Sequence, residues 1–141
     1  MRKTLAVVLS AGVVVLAAAP AWAHHAFAAE FDAEKPIKYK GTVTKMEWIN
    51  PHAWIHIDVK GEDGKVASWM IEAAAPNSLL RRGFTKESLL AGTEIIVEGF
   101  QAKDGSNRAN GSVITFTDGR KLFVGAPASD PGAAPGTTTE K

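Results

Sequence analysis

The sequence predicts an all-β protein with a short helical connection, a small OB-like barrel of five to six strands. The first observation is the order of the elements: three strands, a helical segment and two or three more strands, as in OB-type barrels, where a helix lies between strands three and four. The second is the mid-strand position of Gly41 and Gly99, where a barrel needs bulges or tight coiling. An open six-stranded sandwich fits the same strand count, but the strand order and these glycines favour the barrel.

The first three strands are predicted at residues 38–48, 52–60 and 66–73. The second has the clearest pattern, because apolar and polar side chains alternate along it and therefore point to opposite faces. Residues 61–64, with a glycine at each end, join it to the third strand as a hairpin turn. One face of the second strand carries Ala53, Ile55, Ile57 and Val59, and the other carries His52, Trp54, His56 and Asp58.

A short helix is predicted at residues 76–83, with Pro76 in its first turn and Gly83 at its C-terminal end. A further helical turn is predicted at residues 85–90, with Thr85 as its N-cap. The remaining strands are predicted at residues 94–102, 112–117 and 120–124. The predicted core contains Ile55, Ile57, Val59, Trp69, Ile71, Ile95, Val97 and Ile114.

Residues 1–23 are predicted to be a secretory signal peptide. Arg2 and Lys3 precede an apolar run at residues 5–19, and the small-residue pattern Ala-Trp-Ala then ends at Ala23. A membrane anchor is the alternative, but the run is shorter than the roughly 20 residues that cross a bilayer. Cleavage after Ala23 predicts a periplasmic protein whose mature form has no membrane anchor.

Three parts are predicted for the mature chain. Residues 24–37 lack a clear strand pattern and are predicted to be a lead-in segment, with Phe27 and Phe31 as apolar anchors. Residues 38–125 are predicted to form the OB-like domain. Residues 126–141 contain much Ala, Pro, Gly and Thr without apolar periodicity, so a disordered tail is predicted.

Charge and composition exclude several function classes. Loss of Arg2 and Lys3 with the signal peptide leaves 14 basic and 15 acidic residues, a net charge of −1, with the two signs interspersed. Nucleic-acid binding is not expected, because recognition of phosphates needs a clustered basic surface. The chain has no cysteine, which excludes disulfides, thiolate metal sites and thiol nucleophiles. Any metal would have to use His, carboxylate, Met or the chain terminus.

His24 and His25 are candidate metal ligands because of their position after the cleavage site. Once the chain is cut after Ala23, His24 is the amino terminus, and its free amine and its Nδ1 can chelate one copper ion, an arrangement called a histidine brace. Alternatively, the amine, the intervening amide and the His25 imidazole can bind Cu(II), whose square-planar preference suits nitrogen donors. The contrasting interpretation is that paired histidines at an exported N-terminus have no function. The metal hypothesis names copper as the cofactor and His24, His25 and His52 as its ligands.

A second group of candidate residues surrounds the Asn-Pro bend. His52 and His56 are four residues apart in a strand, so their Cα atoms lie about 13 Å apart at about 3.3 Å per residue, and they cannot easily share one ion. His52, at the strand end, is the better candidate to join the terminal histidines. Trp48, Trp54 and His56 are the candidates for binding a small ligand or a protein partner, although half-packed scaffold side chains would show the same pattern.

No reaction follows from the sequence. Asp58 and Glu72 could face one another across the second and third strands, but paired acids on the surface of a sheet are usually solvated. A polar contact from Glu72 to the helix amides is the favoured interpretation of that residue. The chain contains no nucleophile elbow, phosphate loop or dinucleotide fingerprint, and no acid–base pair is identifiable, so no catalytic residue is predicted.

The mature chain carries several short motifs that occur together: His24-His25-Ala26-Phe27, Phe31-Asp32, Trp48-Ile49-Asn50-Pro51-His52, the strand from Trp69 to Glu72, Pro76 with Leu79, and Asp118-Gly119-Arg120. In combination they resemble a family of small exported bacterial proteins classed as a domain of unknown function. The resemblance covers about residues 24–124. It implies a periplasmic location and a shared site near the double histidine and His52, and it implies no activity.

The sequence therefore predicts an exported periplasmic binding module with a small β-barrel fold that binds copper through its mature N-terminal histidines. The alternative is a metal-independent, ligand- or protein-binding OB-like module whose partner is unknown.

Overall fold

Six strands of one sheet make up most of the part of the chain that the computed structural model describes, residues 27–125. Residues 27–30 are helical and lead into the first strand. The predicted signal peptide, the double histidine and the predicted tail lie outside the described residues. In chain order the elements are β1 (Phe31–Glu47), β2 (Trp54–Lys60), β3 (Val66–Glu72), α1 (Pro76–Arg81), a 3₁₀ helix (Lys86–Ser88), β4 (Glu94–Ala102), β5 (Arg108–Phe116) and β6 (Lys121–Phe123).

The strand order of the sheet is β3-β2-β1-β4-β5-β6. Each neighbouring pair in this order is antiparallel, and a further, parallel pairing of β3 with β5 closes the sheet into a ring. The two short helices lie between β3 and β4 along the chain. The predicted all-β, OB-like class with a helical connection is therefore confirmed. Between residues 27 and 125, no helix is long and apolar enough to cross a membrane.

β1 joins the two halves of the ring. Its 17 residues pair with β4 from Phe31 to Thr42 and with β2 from Gly41 to Glu47. Gly41 belongs to both ladders, and a Cβ at this position would lie 3.0 Å from the carbonyl oxygen of Asp58. A glycine therefore allows the close backbone approach that a sharply coiled strand needs.

β4 and β5 come very close together at Gly99. A Cβ on Gly99 would overlap the carbonyl oxygen of Asn110 and would lie 3.0 Å from the carbonyl carbon of the same residue. The register of the β4–β5 ladder also shifts between Glu98 and Gly99, which marks a bulge. This is the feature that a mid-strand glycine predicts in a barrel.

The core lies inside the ring and is formed by the inward side chains of the strands. Of the eight predicted core residues, all are buried except Val59, which is partly buried and packs against the core. Residues of the helical connection and its flanks add to the core, and Leu79, Phe84 and Leu89 are almost fully buried. These helices are too short to show a clear helical period of apolar residues. Their apolar side chains are buried because they pack against the sheet.

Several strand ends differ from the sequence prediction. β1 begins at Phe31 rather than at residue 38, and only Phe31 and Ile37 are buried among its first seven residues. This segment lacks apolar alternation, and it is a strand because its backbone pairs with β4. β5 begins at Arg108 rather than at residue 112, because residues 108–110 pair with β3 and residues 109–110 also pair with β4.

Candidate functional site

A buried carboxylate, Glu72, is the centre of a polar cluster at the end of β3. It lies on the outer face of the sheet, since the adjacent Ile71 is fully buried in the core and side chains alternate along a strand. Glu72 Oε1 lies 3.2 Å from His52 Nδ1 and 3.3 Å from Asn110 Nδ2, which donates a hydrogen bond to it. Glu72 and Asn110 are opposite each other in the parallel β3–β5 ladder.

Two polar residues of the cluster, Glu72 and Asn110, are removed from water. Glu72 is 8% exposed and Asn110 is 4% exposed. Burial raises the pKa of the Glu72 carboxyl, because removal from water penalises its charged form. The nearby positive charge that His52 can carry opposes this shift, and the negative charge of Glu30 adds to it. Glu30 is therefore close enough to Glu72 for its charge to act on it.

Glu30 is brought to this place by contacts from β4, β5 and the loop between them. Its carboxylate accepts a hydrogen bond from Arg108, with 2.9 Å between Oε2 and Nη2, and its carbonyl oxygen accepts from the amide of Lys103 at 2.9 Å. The Lys103 ammonium also donates to the carbonyl oxygen of Ala28. The Phe27 ring lies 5.8 Å from that of Phe100, edge to face, and 5.8 Å from that of Phe31. These contacts hold residues 27–30 against the closed β-sheet.

Arg108 also connects residues 27–30 to the outer face of β2. Its guanidinium carbon lies 5.6 Å from the ring centroid of Trp54, at a distance where a cation interacts favourably with an aromatic face. Trp54 is the partner of Glu72 in the β2–β3 ladder. A continuous set of contacts therefore runs from Glu30 through Arg108 and Trp54 to the pair formed by Glu72 and His52.

His56 belongs to a separate polar pair. Its Nε2 lies 3.1 Å from Glu47 Oε2, and Glu47 also accepts a hydrogen bond from Lys45. The Lys45 contact is the main cause that holds the pKa of the Glu47 carboxyl below its usual range, and the His56 contact acts in the same direction. His52 and His56 therefore have different carboxylate partners.

The three residues predicted to bind a small ligand or partner do not form one cluster. Trp54 and His56 lie two apart on the outer face of β2, where His56 pairs with Glu47 and Trp54 with Arg108. Trp48 instead stacks on Phe84, with ring centroids 6.1 Å apart, and packs against the core.

Asp58 and Glu72, which the sequence left open as a facing pair, are not opposite each other. Asp58 pairs with Ser68 in the β2–β3 ladder and accepts a hydrogen bond of 2.7 Å from its hydroxyl, whereas Glu72 is four residues further along β3. Glu72 also contacts His52 and Asn110 rather than the amides of α1, where the expected polar contact was placed.

Comparison with known families gives a match over most of the chain. The model of a family of unknown function, DUF6152, matches residues 11–111. The chain belongs to the DUF6152 family. No match was found among curated proteins or among solved structures. The matched range includes the double histidine as well as His52, Glu72, Arg108 and Asn110.

In this DUF6152 chain, the residues that sequence reasoning missed are Glu30, Arg108 and Asn110. All three are distant from Glu72 along the chain, and the β3–β5 pairing brings two of them to it. The sequence does contain one indication of a strand here, because Arg108 and Asn110 are two residues apart, the spacing of side chains on one face of a strand. However, the dipeptide Asn110-Gly111 is typical of a turn and indicates a loop instead.

The described part of the cluster contains one imidazole, that of His52, beside the Glu72 carboxylate. Among residues 27–125, no group of three or more His, Asp or Glu side chains is placed to hold an ion. His24 and His25, the other two predicted ligands, lie outside the described residues. A complete metal site would therefore combine His52 with ligands from the chain that precedes Phe27.

Proposed function

We propose that this member of the DUF6152 family is exported to the periplasm, is cut after Ala23, and binds Cu(II) with the amine and imidazole of His24 together with His25 and His52. The observation that supports this function is the position of Glu30. The chain that follows the double histidine is held by Arg108 beside Glu72, the residue that contacts His52.

The length of chain between these residues is consistent with a shared site. Only His25 and Ala26 lie between His24 and Phe27, and three residue steps of extended chain span about 11 Å at most. Phe27 itself is fixed by its aromatic contacts to Phe31 and Phe100. The length of this segment therefore limits how far His24 can extend from Phe27.

The donor atoms suit copper. A free amine and up to three imidazoles are nitrogen donors, which Cu(II) prefers, and affinities of divalent ions for such sites generally peak at copper. The chain has no thiolate to compete for the ion. Binding weakens in acid, because imidazoles with an ordinary pKa of about 6.5 must lose their protons to bind.

Calorimetric titration of Cu(II) into the correctly processed protein tests this function. A matched variant with one extra alanine before His24 keeps every imidazole and removes the free amine from His24. We expect it to bind copper more weakly, and His52→Ala to do the same, while His56→Ala binds like the wild-type protein. Intact-mass analysis of protein recovered from the periplasm establishes whether the chain begins at His24.

Two outcomes would overturn the proposal. Equal copper affinity in the processed protein and the alanine-extended variant would exclude the brace. No measurable affinity in either would leave the metal-independent binding module as the better function, with Trp54 and His56 as candidate contacts because both lie on the outer face of β2.

A further inference from the structure

We infer that Glu72 is a positioning residue for His52: its carboxylate accepts a hydrogen bond from Nδ1–H and thereby presents Nε2 as the metal-binding atom. The metal-binding part of this inference rests on the function proposed above. The protonated nitrogen of His52 can be determined in the metal-free protein, so this part stands independently.

The hydrogen-bond roles follow from the two contacts of one oxygen atom. Glu72 Oε1 lies 3.2 Å from His52 Nδ1 and accepts a hydrogen bond from Asn110 Nδ2 at 3.3 Å. The side-chain nitrogen of Asn110 can only donate, and an ionised carboxylate can only accept. When Glu72 is ionised, its oxygen is an acceptor toward both Asn110 and His52, and the contact with His52 then requires the proton on Nδ1. A neutral imidazole with its proton on Nδ1 has its free lone pair on Nε2.

The two sides of the His52 imidazole differ in their exposure to solvent. The Glu72 side chain is 10% exposed, whereas that of His52 is 38% exposed. One edge of the imidazole therefore faces a buried carboxylate, and the ring retains accessible surface for an ion. Asn110, which is 4% exposed, holds the carboxylate from the strand opposite. Partners of this kind fix the ring orientation of a metal-binding histidine and raise its basicity.

His56 provides an internal control for the position of the proton. It presents Nε2, not Nδ1, to its carboxylate partner Glu47, at 3.1 Å. By the same reasoning its proton is on Nε2. The two described histidines should therefore be opposite tautomers, although both face a glutamate.

The first test is long-range ¹H–¹⁵N NMR of the imidazoles in metal-free protein at about pH 8, above the ordinary histidine pKa of about 6.5. We expect the Nδ1–H form for His52 and the Nε2–H form for His56. In Glu72→Leu, His52 should change to the Nε2–H form that free histidine favours, and His56 should be unaffected. Wild-type His52 in the Nε2–H form would overturn the inference.

The second test is Cu(II) titration of Glu72→Leu, Glu72→Gln and Glu47→Gln. Loss of a partner that orients a metal ligand typically weakens affinity by about 10- to 100-fold, and we expect this for Glu72→Leu. Glu72→Gln keeps an acceptor oxygen without the charge and should lose less, so it also serves if the leucine variant does not fold. Glu47→Gln should bind copper like the wild-type protein.

The outcomes separate the two proposals. If the wild-type protein does not bind copper, the proposed function fails, while the NMR result still decides the position of the His52 proton. If the wild-type protein binds copper and both Glu72 variants bind it equally well, the positioning role of Glu72 fails and the proposed function stands.

Discussion

Arg108 and Glu30 form an ion pair, with 2.9 Å between Nη2 and Oε2, that joins β5 to the helical residues at the start of the described chain. These residues are 78 positions apart in sequence. The guanidinium also lies over Trp54, so a single side chain connects the lead-in to the outer face of β2. Among the contacts that hold residues 27–30, this is the one that also reaches β2.

Replacement of Arg108 should weaken copper binding with a small loss of stability. Arg108→Met removes a partly exposed ion pair and a cation–π contact, which together contribute about 1 kcal/mol. If these contacts hold the chain that follows His24 and His25 close to His52, the loss of about 1 kcal/mol of interaction energy corresponds to a roughly fivefold loss of copper affinity. Calorimetric titration and urea unfolding measure the two effects.

Arg120→Met is a matched control for this variant. Arg120 also combines an ion pair, with Asp118, and a cation–π contact, with Phe116 at 4.8 Å. It lies in the turn between β5 and β6, and none of these contacts involves the cluster around Glu72. An equal loss of copper affinity in Arg120→Met and Arg108→Met would show that Arg108 has no specific role.

Gly99→Ala should destabilise the ring strongly. The added methyl group would overlap the backbone carbonyl of Asn110, and backbone atoms cannot move aside as the end of a side chain can. Overpacking usually costs about 1–3 kcal/mol, and we expect this substitution to reach or exceed the upper end of that range. Urea denaturation of Gly99→Ala provides the measurement.

Gly64→Ala offers a comparison in which space is not the problem. Gly64 has a φ of 79°, and nothing lies within 4 Å of a Cβ built there, so the substitution causes only backbone strain of about 1–2 kcal/mol. A cost for Gly99→Ala no larger than that for Gly64→Ala would contradict the close approach of β4 and β5.

The sequence was sufficient to predict the elements whose pattern is local. The alternation along β2 predicts both the buried Ile55 and Ile57 and the outward Trp54 and His56, because burial on one face imposes a period of two residues. β4 was predicted with its observed limits, Glu94–Ala102, for the same reason.

The centre of the candidate site depends on pairings that no local pattern encodes. Glu72 contacts Asn110 because β3 and β5 pair in parallel, and these strands are separated by both helices and β4. Glu30 reaches the site because β1 extends back to Phe31 along β4, and this extension has almost no apolar alternation. His52 could be selected from its position after the Pro bend, but its partners could not.

Trp48 should act as a structural residue. Its ring is stacked on Phe84 with an interplanar angle of 10°, and it packs against the core. Because Trp48 is only partly buried, we expect Trp48→Ala to destabilise the protein by about 2 kcal/mol, less than the roughly 3–5 kcal/mol for a fully buried aromatic, and to leave copper affinity unchanged. Urea unfolding and copper titration are the two measurements, and Phe84→Ala should cost at least as much. A loss of copper affinity in folded Trp48→Ala would contradict this assignment.

The pH dependence of stability should reveal the buried carboxyl of Glu72 in the metal-free protein. Burial raises its pKa in the folded state above the ordinary value of 4.5, so the folded state binds the proton more tightly than the unfolded chain does. The contribution of this proton to the free energy of unfolding is fully present below pH 4.5 and is lost as the pH rises through the pKa of Glu72 in the folded state. Glu72→Gln has no proton to lose and lacks this contribution at every pH.

The free energy of unfolding of the wild-type protein relative to Glu72→Gln should therefore fall as the pH rises from about 4 through the folded pKa. The carboxyls of Glu98, Asp104 and Asp118, whose pKa values are lowered by their hydrogen-bond partners, contribute in the opposite direction but are present in both proteins. Their effects cancel in the difference. Urea unfolding at a series of pH values, with a chelator present, gives this difference directly. A wild-type advantage that grows with pH would mean that the His52 contact, which lowers the pKa of Glu72, outweighs burial.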